Sequence, residues 1–365
     1  MTRPTVDVVI PCYNYARYLP ACLESVLTQN GVAVRVLIID DASQDASEDV
    51  GRAFARTDAR VEFVRHSRNQ GHVRTYNEGI DWISSDYWLL LSADDLLAPG
   101  ALARAAAVMD RHPDVGLAYG RATFLRDDEP VSAPEGRFDE GVRYFSGRQF
   151  LQYVCRNVNN PVPTPSAVVR TAVQKTIGGY LAELPHTCDM EMWMRIAAHA
   201  DVCFLSAWQA IYRWHGANMQ TQYLRSRLVD LRERHRACQA LFAAHGARIA
   251  ESDHLRIEAA CRVAQDAFSM ARRAFAEGNL EAVEECLVYA AACDPDITTS
   301  MSWRRLRCKT AVGPRLWRLL EPVWKVIRTA PDPQRADTEQ VSAGAAWIGG
   351  QASKACQSGS PQAMS

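Results

Sequence analysis

Short apolar runs alternate with helix-like segments over residues 6–120, and this alternation limits the possible folds more than any other feature of the chain. The runs VDVVIP, VRVLIID, VEFVRH, YWLLLS and VGLAYG are separated by segments such as YLPACLESVLTQ and GALARAAAVMDRH. The runs are largely continuous in apolar residues rather than apolar at every second position, as in strands covered on both faces of a parallel sheet. The pattern predicts an α/β fold with a mostly parallel sheet flanked by helices.

Polar groups follow three of these predicted strands. PCYN follows the first, Asp40 and Asp41 end the second, and Asp94 and Asp95 follow the fourth. In open α/β sheets, ligands bind beyond the carboxyl ends of the strands. We therefore expect the three groups to meet at one edge of the sheet.

The adjacent carboxylates Asp94 and Asp95 come directly after a buried run. One aspartate could simply cap the following helix, whereas two buried carboxylates cost several kcal/mol unless something pairs with them. Paired carboxylate oxygens suit Mg²⁺ or Mn²⁺, and such a cation can neutralise a departing diphosphate. The pair therefore predicts a Mg²⁺ or Mn²⁺ site, with helix capping as the alternative.

Four motifs occur in order at strand-and-loop spacing: VVIPCYNYARYLPACLESVLTQ, VLIIDDASQDAS, NQGHVRTYNEGI and LLLSADD. Together they resemble the nucleotide-diphospho-sugar transferases of the GT-A fold, specifically the inverting glycosyltransferase family 2, over roughly residues 5–215. The resemblance implies a Rossmann-like GT-A domain that moves a sugar from a UDP-, dTDP- or GDP-sugar donor. It also implies a glycan or lipid-linked acceptor, as in bacterial polysaccharide or glycolipid synthesis.

The resemblance also implies a role for individual residues of the donor site. Pro11 and Tyr13 match the positions where the family packs the nucleobase, and an aromatic ring there supplies a flat apolar partner. Asp41 matches the residue that accepts a hydrogen bond from the base. Asp94 matches the position near the ribose, and Asp95 matches the metal ligand.

The family pattern suggests two further residues that could contact the donor, Arg74 and His215, and each has an alternative role. The family places an arginine directly before the asparagine of the third motif, where this chain has Tyr76, and Arg74 lies two residues earlier. Two residues along a helix turn a side chain to another face, so Arg74 is an open candidate for the diphosphate. His215 matches the family histidine near the metal or diphosphate, although a lone histidine is often structural.

The segment GGYLAELPHTCDMEMWMRIA resembles the family region that carries the catalytic base. Asp189 aligns with that base, while Cys188 stands where the family usually has a glutamate. An inverting transfer needs one base, opposite the leaving diphosphate, to take the proton of the acceptor hydroxyl. Glu191 is the competing candidate for the base, and helix capping is the structural alternative for Asp189.

We expect residues 1–220 to form the GT-A domain, 221–330 a helical extension, and 331–365 a disordered tail with little core potential. The segment SWRRLRCKTAVGPRLWRLLEPVWKVIR combines basic residues with an apolar stripe at helical spacing. Such a helix can lie in a membrane interface, which favours peripheral membrane contact through 301–328. The alternative is packing on the domain or on a second subunit.

The composition of the chain argues against a nucleic-acid-binding protein and against a membrane-spanning one. A formal net charge of −1 gives no support to a nucleic-acid partner. The sequence has no apolar run near 18 residues and opens directly into a strand-like segment, which predicts a cytoplasmic protein, peripheral at the inner face of the membrane.

Two other functions stay open. A GT-A-like binding or scaffold module, inactive and acting through its helical C-terminus, would explain the missing arginine and Cys188. A nucleotidylyltransferase would need a Gly-rich phosphate loop, which PCYNYARY is not. Because an inactive module has no reason to keep both Asp95 and Asp189, the sequence favours the enzyme.

Overall fold

The computed structural model describes residues 3–126, 141–216, 218, 227–317 and 319. Within these residues it contains a nine-stranded sheet. The strands are β1 (Thr5–Cys12), β2 (Ala33–Asp40), β3 (Val61–Arg65), β4 (Tyr87–Leu90), β5 (Leu96–Leu97), β6 (Val115–Arg126), β7 (Val142–Phe145), β8 (Val168–Arg170) and β9 (Asp201–Trp214).

Helices connect and flank the strands. They are α1 (Leu19–Leu27), α2 (Ser47–Thr57), α3 (His72–Trp82), α4 (Ala101–Arg111), α5 (Gly147–Asn157), α6 (Thr171–Ile177), α7 (Cys188–Ala197), α8 (Arg227–His245), α9 (Ser252–Glu277), α10 (Leu280–Cys293) and α11 (Met301–Val312). Single 3₁₀ turns cover Thr164–Ser166, Gly246–Arg248 and Pro295–Thr299.

The first half of the sheet has the predicted parallel arrangement. The strands lie in the order β3-β2-β1-β4, and β1 pairs in parallel with β2 from Thr5↔Ala33 to Cys12↔Asp40. Most of β1 and β2 is buried, because helices cover both faces. The parallel register brings the carboxyl ends of β1 and β2 to the same edge.

The second half of the sheet is mixed. Strand β8 is antiparallel to β4 and β6, whereas β9 runs parallel to β6 and antiparallel to β5 and β7. Residues Asp201–Trp214 form one continuous strand of 14 residues. Register shifts around Gly120 and Arg121 keep β9 paired with β6 through the irregular stretch.

Contacts divide the chain into two compact units, residues 1–267 with 292–294 and residues 268–291 with 295–365. In the second unit, the rings of Phe268 and Trp303 stack with centroids 5.8 Å apart. No helix in the described part of the chain is both long and apolar enough to cross a bilayer. The predicted domain boundary at 220 stays a prediction, and the predicted tail lies outside the described residues.

Helix α3 packs against β1 through a glycine. A Cβ atom added at Gly79 would lie 2.3 Å from Cγ1 and 2.9 Å from Cγ2 of Val9. The absence of a side chain therefore lets the helix backbone approach the central strand. This close approach fixes the position of α3 relative to the sheet edge.

We expect Gly79→Ala to destabilise the protein by about 1–3 kcal/mol, because the added methyl overpacks the core. In a helix with open space the same change would stabilise by about 1 kcal/mol, so the sign of the effect tests the packing. Urea unfolding in wild-type and Val9→Ala backgrounds measures it. The cost should shrink when the Val9 methyl groups are gone, and an equal cost in both backgrounds would contradict the steric explanation.

Candidate active site

The loops after β1 and β2 are tied to each other. The Asn14 amide donates to Ser43 Oγ at 2.8 Å, and the Gln44 amide donates to Asn14 Oδ1 at 2.8 Å. Asn14 has a φ of 58°, a left-handed conformation that asparagine tolerates better than most residues. Beside this loop, Pro11 is half-buried and Tyr13 is 42% exposed, so the Tyr13 ring is open to a ligand.

Asp41 is buried where β2 ends and binds the start of α3. Its Oδ1 accepts from the Gln70 amide at 2.7 Å and its Oδ2 from the Gly71 amide at 2.9 Å. Its Oδ1 also lies 2.7 Å from Nδ1 of His66. Asp41 therefore shapes the loop between β3 and α3.

The neighbouring Asp40 is fully buried and structural. Its Oδ2 accepts from Arg65 Nε at 2.9 Å, and its Oδ1 accepts from the Ser43 amide at 3.2 Å. The Arg65 guanidinium also donates to the Ser43 carbonyl oxygen at 2.9 Å. Asp40 thus stabilises the loop after β2, as expected of a brace.

Asp94 and Asp95 lie in the short segment between β4 and β5 and are only 4% and 3% exposed. Antiparallel pairing of β5 with β9 brings the end of β9 to this segment. The Arg213 amide donates to Asp95 Oδ1 at 2.9 Å, and Arg213 Nε donates to the Asp94 carbonyl oxygen at 3.1 Å. Strand β9 therefore positions the acid pair.

His215 lies against Asp94. Its Nε2 is 2.9 Å from Asp94 Oδ2, and its ring stacks on Tyr18 with centroids 5.0 Å apart. Tyr15 meets the same imidazole edge-on at 5.6 Å. Aromatic contacts on two sides fix the orientation of the ring. We predicted His215 and Asp95 as metal ligands, and the structure pairs the imidazole with the other acid.

The acid pair fits a divalent cation. Oδ1 of Asp94 is buried and has no hydrogen-bond partner within the described residues. Burial and the charge of Asp94 raise the pKa of Asp95 well above the ordinary aspartate value, and Arg213 offsets this only in part. The site therefore favours additional positive charge.

The protein alone does not complete a coordination shell around such a cation. Among the residues described, no group of three or more His, Cys, Asp and Glu side chains is placed to hold a metal ion. Mg²⁺ commonly takes one or two carboxylates and fills its other positions with substrate phosphates and water. A cation here would follow that pattern.

Asp189 lies in the first turn of α7 and is partly buried. Its Oδ2 accepts from Asn160 Nδ2 at 3.0 Å and from Thr164 Oγ1 at 2.9 Å, and its Oδ1 accepts from the Met190 amide at 2.7 Å. Burial raises the pKa of the carboxyl despite these hydrogen bonds. A carboxylate held in place with a raised pKa has the properties of a general base.

Glu191, the competing candidate for the base, is occupied by an arginine. Arg195 binds it through Nε at 3.0 Å and Nη2 at 2.6 Å, and both side chains are buried. The same guanidinium donates to the carbonyl oxygens of Ile177 and Gly179, each at 2.8 Å. The ion pair therefore holds α7 against the turn at Gly178 and Gly179.

Two tyrosines have pKa values that both the acid pair and Asp189 raise. Burial and the charges of Asp95, Asp94 and Asp189 all raise the pKa of Tyr212. Burial, Asp189 and Asp94 likewise raise the pKa of Tyr76 well above its ordinary value. The charges of both acid groups therefore act on both phenols.

Sequence analysis did not identify these phenols as site residues. Tyr76 was noted in the sequence only because it stands where the family has an arginine. The neighbouring Asn77 fixes this part of α3 against Tyr180. Asn77 donates to the Tyr180 carbonyl oxygen at 3.0 Å and accepts from the Tyr180 amide at 2.7 Å. The only sequence signal for Tyr212 is its place in YRWHG.

Arg74 lies on an exposed part of α3. Tyr76, two residues on, instead packs edge-on against His72 and Tyr180, with centroids 5.4 Å apart in both cases. The two positions thus have different surroundings, as expected for residues two apart on a helix. The proposed contact of Arg74 with a diphosphate stays a prediction.

We expect Glu191→Ala to destabilise the protein by about 3–5 kcal/mol, because it leaves the buried Arg195 charge without a partner. Glu183→Ala, an exposed glutamate in the preceding loop, is the matched control and should change stability by less than about 0.5 kcal/mol. Urea unfolding measures both. Equal small losses would show that the buried ion pair is not structural.

Comparisons with known proteins give one family match and several relatives. Residues 7–175 match the family model described as glycosyl transferase family 2. An uncharacterized protein of Mycobacterium tuberculosis is 26% identical over 232 residues, covering 62% of this chain and 72% of that protein. A PGL/p-HBAD biosynthesis glycosyltransferase of Mycobacterium bovis is 32% identical over 121 residues, covering 33% of this chain and 47% of that protein. This chain thus spans about half the length of that relative.

Solved structures confirm the predicted fold. Staphylococcus aureus TarS, residues 1–349, superposes with a TM-score of 0.60 in its UDP-GlcNAc complex and 0.58 in its UDP complex. The sequence identities are 16% and 17%, and each alignment covers 90% of this chain and 93% of TarS 1–349. The α/β sheet flanked by helices therefore has the same fold as TarS 1–349.

Proposed function

We propose that this chain, whose residues 7–175 match the model of glycosyl transferase family 2, is a glycosyltransferase. It would move a sugar from a nucleotide-diphospho-sugar to an acceptor hydroxyl, with inversion and with a divalent cation. One observation carries the proposal. The buried carboxylate pair Asp94–Asp95 leaves Asp94 Oδ1 without a hydrogen-bond partner among the described residues, and Asp189 is a separate, partly buried acid held by neutral donors. A metal-bound diphosphate and an attacking hydroxyl need such a pair of acid groups across one site.

The donor would lie at the carboxyl ends of β1 and β2. UDP and UDP-GlcNAc complexes of the similar TarS protein support a nucleotide-sugar donor. Tyr13 offers an exposed ring for the base, and Pro11 lies at the end of β1. Asp41 would accept from the base with an oxygen that also receives a loop amide, since both of its oxygens are already engaged.

Asp94, Asp95 and His215 would hold Mg²⁺ or Mn²⁺. The buried, unpartnered Oδ1 of Asp94 and the imidazole beside Oδ2 support this assignment. When bound, the cation would neutralise the charge that develops on the leaving nucleotide diphosphate. The protein contributes the placement of the two carboxylates by β9 and the aromatic support of His215.

Asp189 would act as the general base. Asn160 and Thr164 hold one of its oxygens, which fixes the direction of the carboxylate. Its raised pKa makes it a better proton acceptor than an ordinary aspartate. It would take the proton of the acceptor hydroxyl on the side opposite the leaving diphosphate, so that the product is inverted.

We propose that the acceptor is a glycan or a lipid-linked molecule in bacterial polysaccharide or glycolipid synthesis. A similar protein named as a PGL/p-HBAD biosynthesis glycosyltransferase supports a sugar transfer in a biosynthetic route. Membrane contact through 301–328 stays a prediction, since residues 318 and 320–328 lie outside the described part. Within α11, the ring of Trp303 packs on Phe268. For this part of the segment, the contact favours packing within the protein over contact with a membrane.

Asp189→Asn should lower kcat by about 10²–10⁴-fold while UDP binding is retained, because only the base is removed. In the wild type, kcat/KM should fall as the pH drops through the raised pKa of Asp189, since the protonated carboxyl cannot accept a proton. A screen of UDP-, dTDP- and GDP-sugars with purified protein supplies the assay. The matched control is Asp201→Asn at the other end of β9, where the side chain accepts the Gly147 amide. Near-wild-type turnover of Asp189→Asn would exclude Asp189 as the base.

Mn²⁺ together with UDP should raise the Tm of the wild type more than UDP alone, because the cation joins the acid pair to the diphosphate. Asp94→Asn and His215→Gln should each lose most of the Mn²⁺-dependent increase and keep the part due to UDP. Differential scanning fluorimetry measures this, with Asp201→Asn again as control. An undiminished Mn²⁺ effect in both variants would place the cation elsewhere.

A further inference from the structure

His66 lies immediately after β3 between two carboxylates. Its Nδ1 is 2.7 Å from Asp41 Oδ1 and its Nε2 is 2.8 Å from Glu78 Oε2, while its side chain is only 4% exposed. Ionised carboxylates only accept hydrogen bonds, and imidazole donates from both nitrogens only when it is protonated. Both short contacts are therefore satisfied by the imidazolium form.

The charges around His66 are consistent with that form. Asp41 faces it from the end of β2 and Glu78 faces it from α3, whereas the adjacent Arg65 points its guanidinium to Asp40 and Glu48. Burial lowers the pKa of His66, but the two carboxylates raise it by more, so the net direction is upward. The buried imidazolium is thus held by charge on both sides.

His66 also balances the charge of Asp41. Within the described residues no arginine or lysine pairs with Asp41, which otherwise receives only the Gln70 and Gly71 amides. The imidazolium therefore supplies the positive charge next to a buried carboxylate. Its Nε2 contacts Glu78 on α3, so His66 links Asp41 to that helix.

We propose that His66 is a positioning residue for the nucleotide donor, holding Asp41 and the loop 67–71 as an imidazolium. The inference rests on the proposed function, in which Asp41 contacts the nucleobase. When His66 loses its proton, a ring lone pair faces a carboxylate, and Asp41 loses its counter-ion beside an anionic nucleotide. A histidine with a raised pKa makes its contribution below that pKa and loses it as the pH rises. Donor binding should therefore weaken toward alkaline pH.

The Kd of UDP, measured by calorimetry between pH 6 and 9 at constant Mg²⁺ and ionic strength, tests this. In the wild type we expect the Kd to rise about three- to tenfold across the titration of His66, since a charge-assisted hydrogen bond becomes a neutral one or is lost. The midpoint should match the His66 titration followed by NMR. His66→Gln should bind more weakly at low pH and lose this pH dependence. The control His112→Gln, at the other end of the sheet, should behave as the wild type.

Glu78→Gln separates positioning from a merely structural role. It removes one of the two carboxylates that raise the pKa of His66, so the midpoint of the Kd profile should move to lower pH. An unchanged midpoint, or a wild-type pH profile in His66→Gln, would overturn the inference while leaving the proposed function intact. If UDP does not bind the wild type at any pH, the proposed donor site fails and the inference fails with it.

Discussion

The two adjacent buried carboxylates after β4 are the constraint on which the rest of the site depends. Asp94 and Asp95 are 4% and 3% exposed, and no lysine or arginine side chain within the described residues forms an ion pair with either. Arg213 supplies a backbone amide to Asp95 and His215 supplies an imidazole to Asp94, which compensate the charge only in part. A site of this kind is unfavourable for folding and favourable for a divalent cation.

Two other buried acids near the cleft are paired with arginines and are structural. Asp40 is paired with Arg65 and Glu191 with Arg195, and each arginine also binds backbone carbonyl oxygens. Asp189 differs, because its partners are neutral hydrogen-bond donors. The chain thus separates acids that hold loops from acids that remain available to a substrate, and that separation supports Asp189 as the base and the Asp94–Asp95 pair as the cation site.

Sequence patterns predicted the features that depend on short stretches of the chain and on the pairing of neighbouring parallel strands. The apolar runs gave β1 to β4 because buried parallel strands are apolar throughout, and parallel order placed their polar ends at one edge. They did not predict the single long β9 or the contact of His215 with Asp94, and they did not predict that the charges of both acid groups raise the pKa of Tyr212. Each of these depends on the register of β9 against β5 and β6, which residues far apart in sequence determine.

The central claim is that a cation joins the acid pair to the donor diphosphate on the side of the site opposite Asp189. Anomalous diffraction from crystals grown with Mn²⁺ and UDP tests it most directly. The account predicts one Mn²⁺ peak within bonding distance of the Asp94–Asp95 carboxylates and of a UDP phosphate oxygen, with open space between the β-phosphate and Asp189. A peak away from both carboxylates, or UDP bound outside the cleft between them and Asp189, would contradict it.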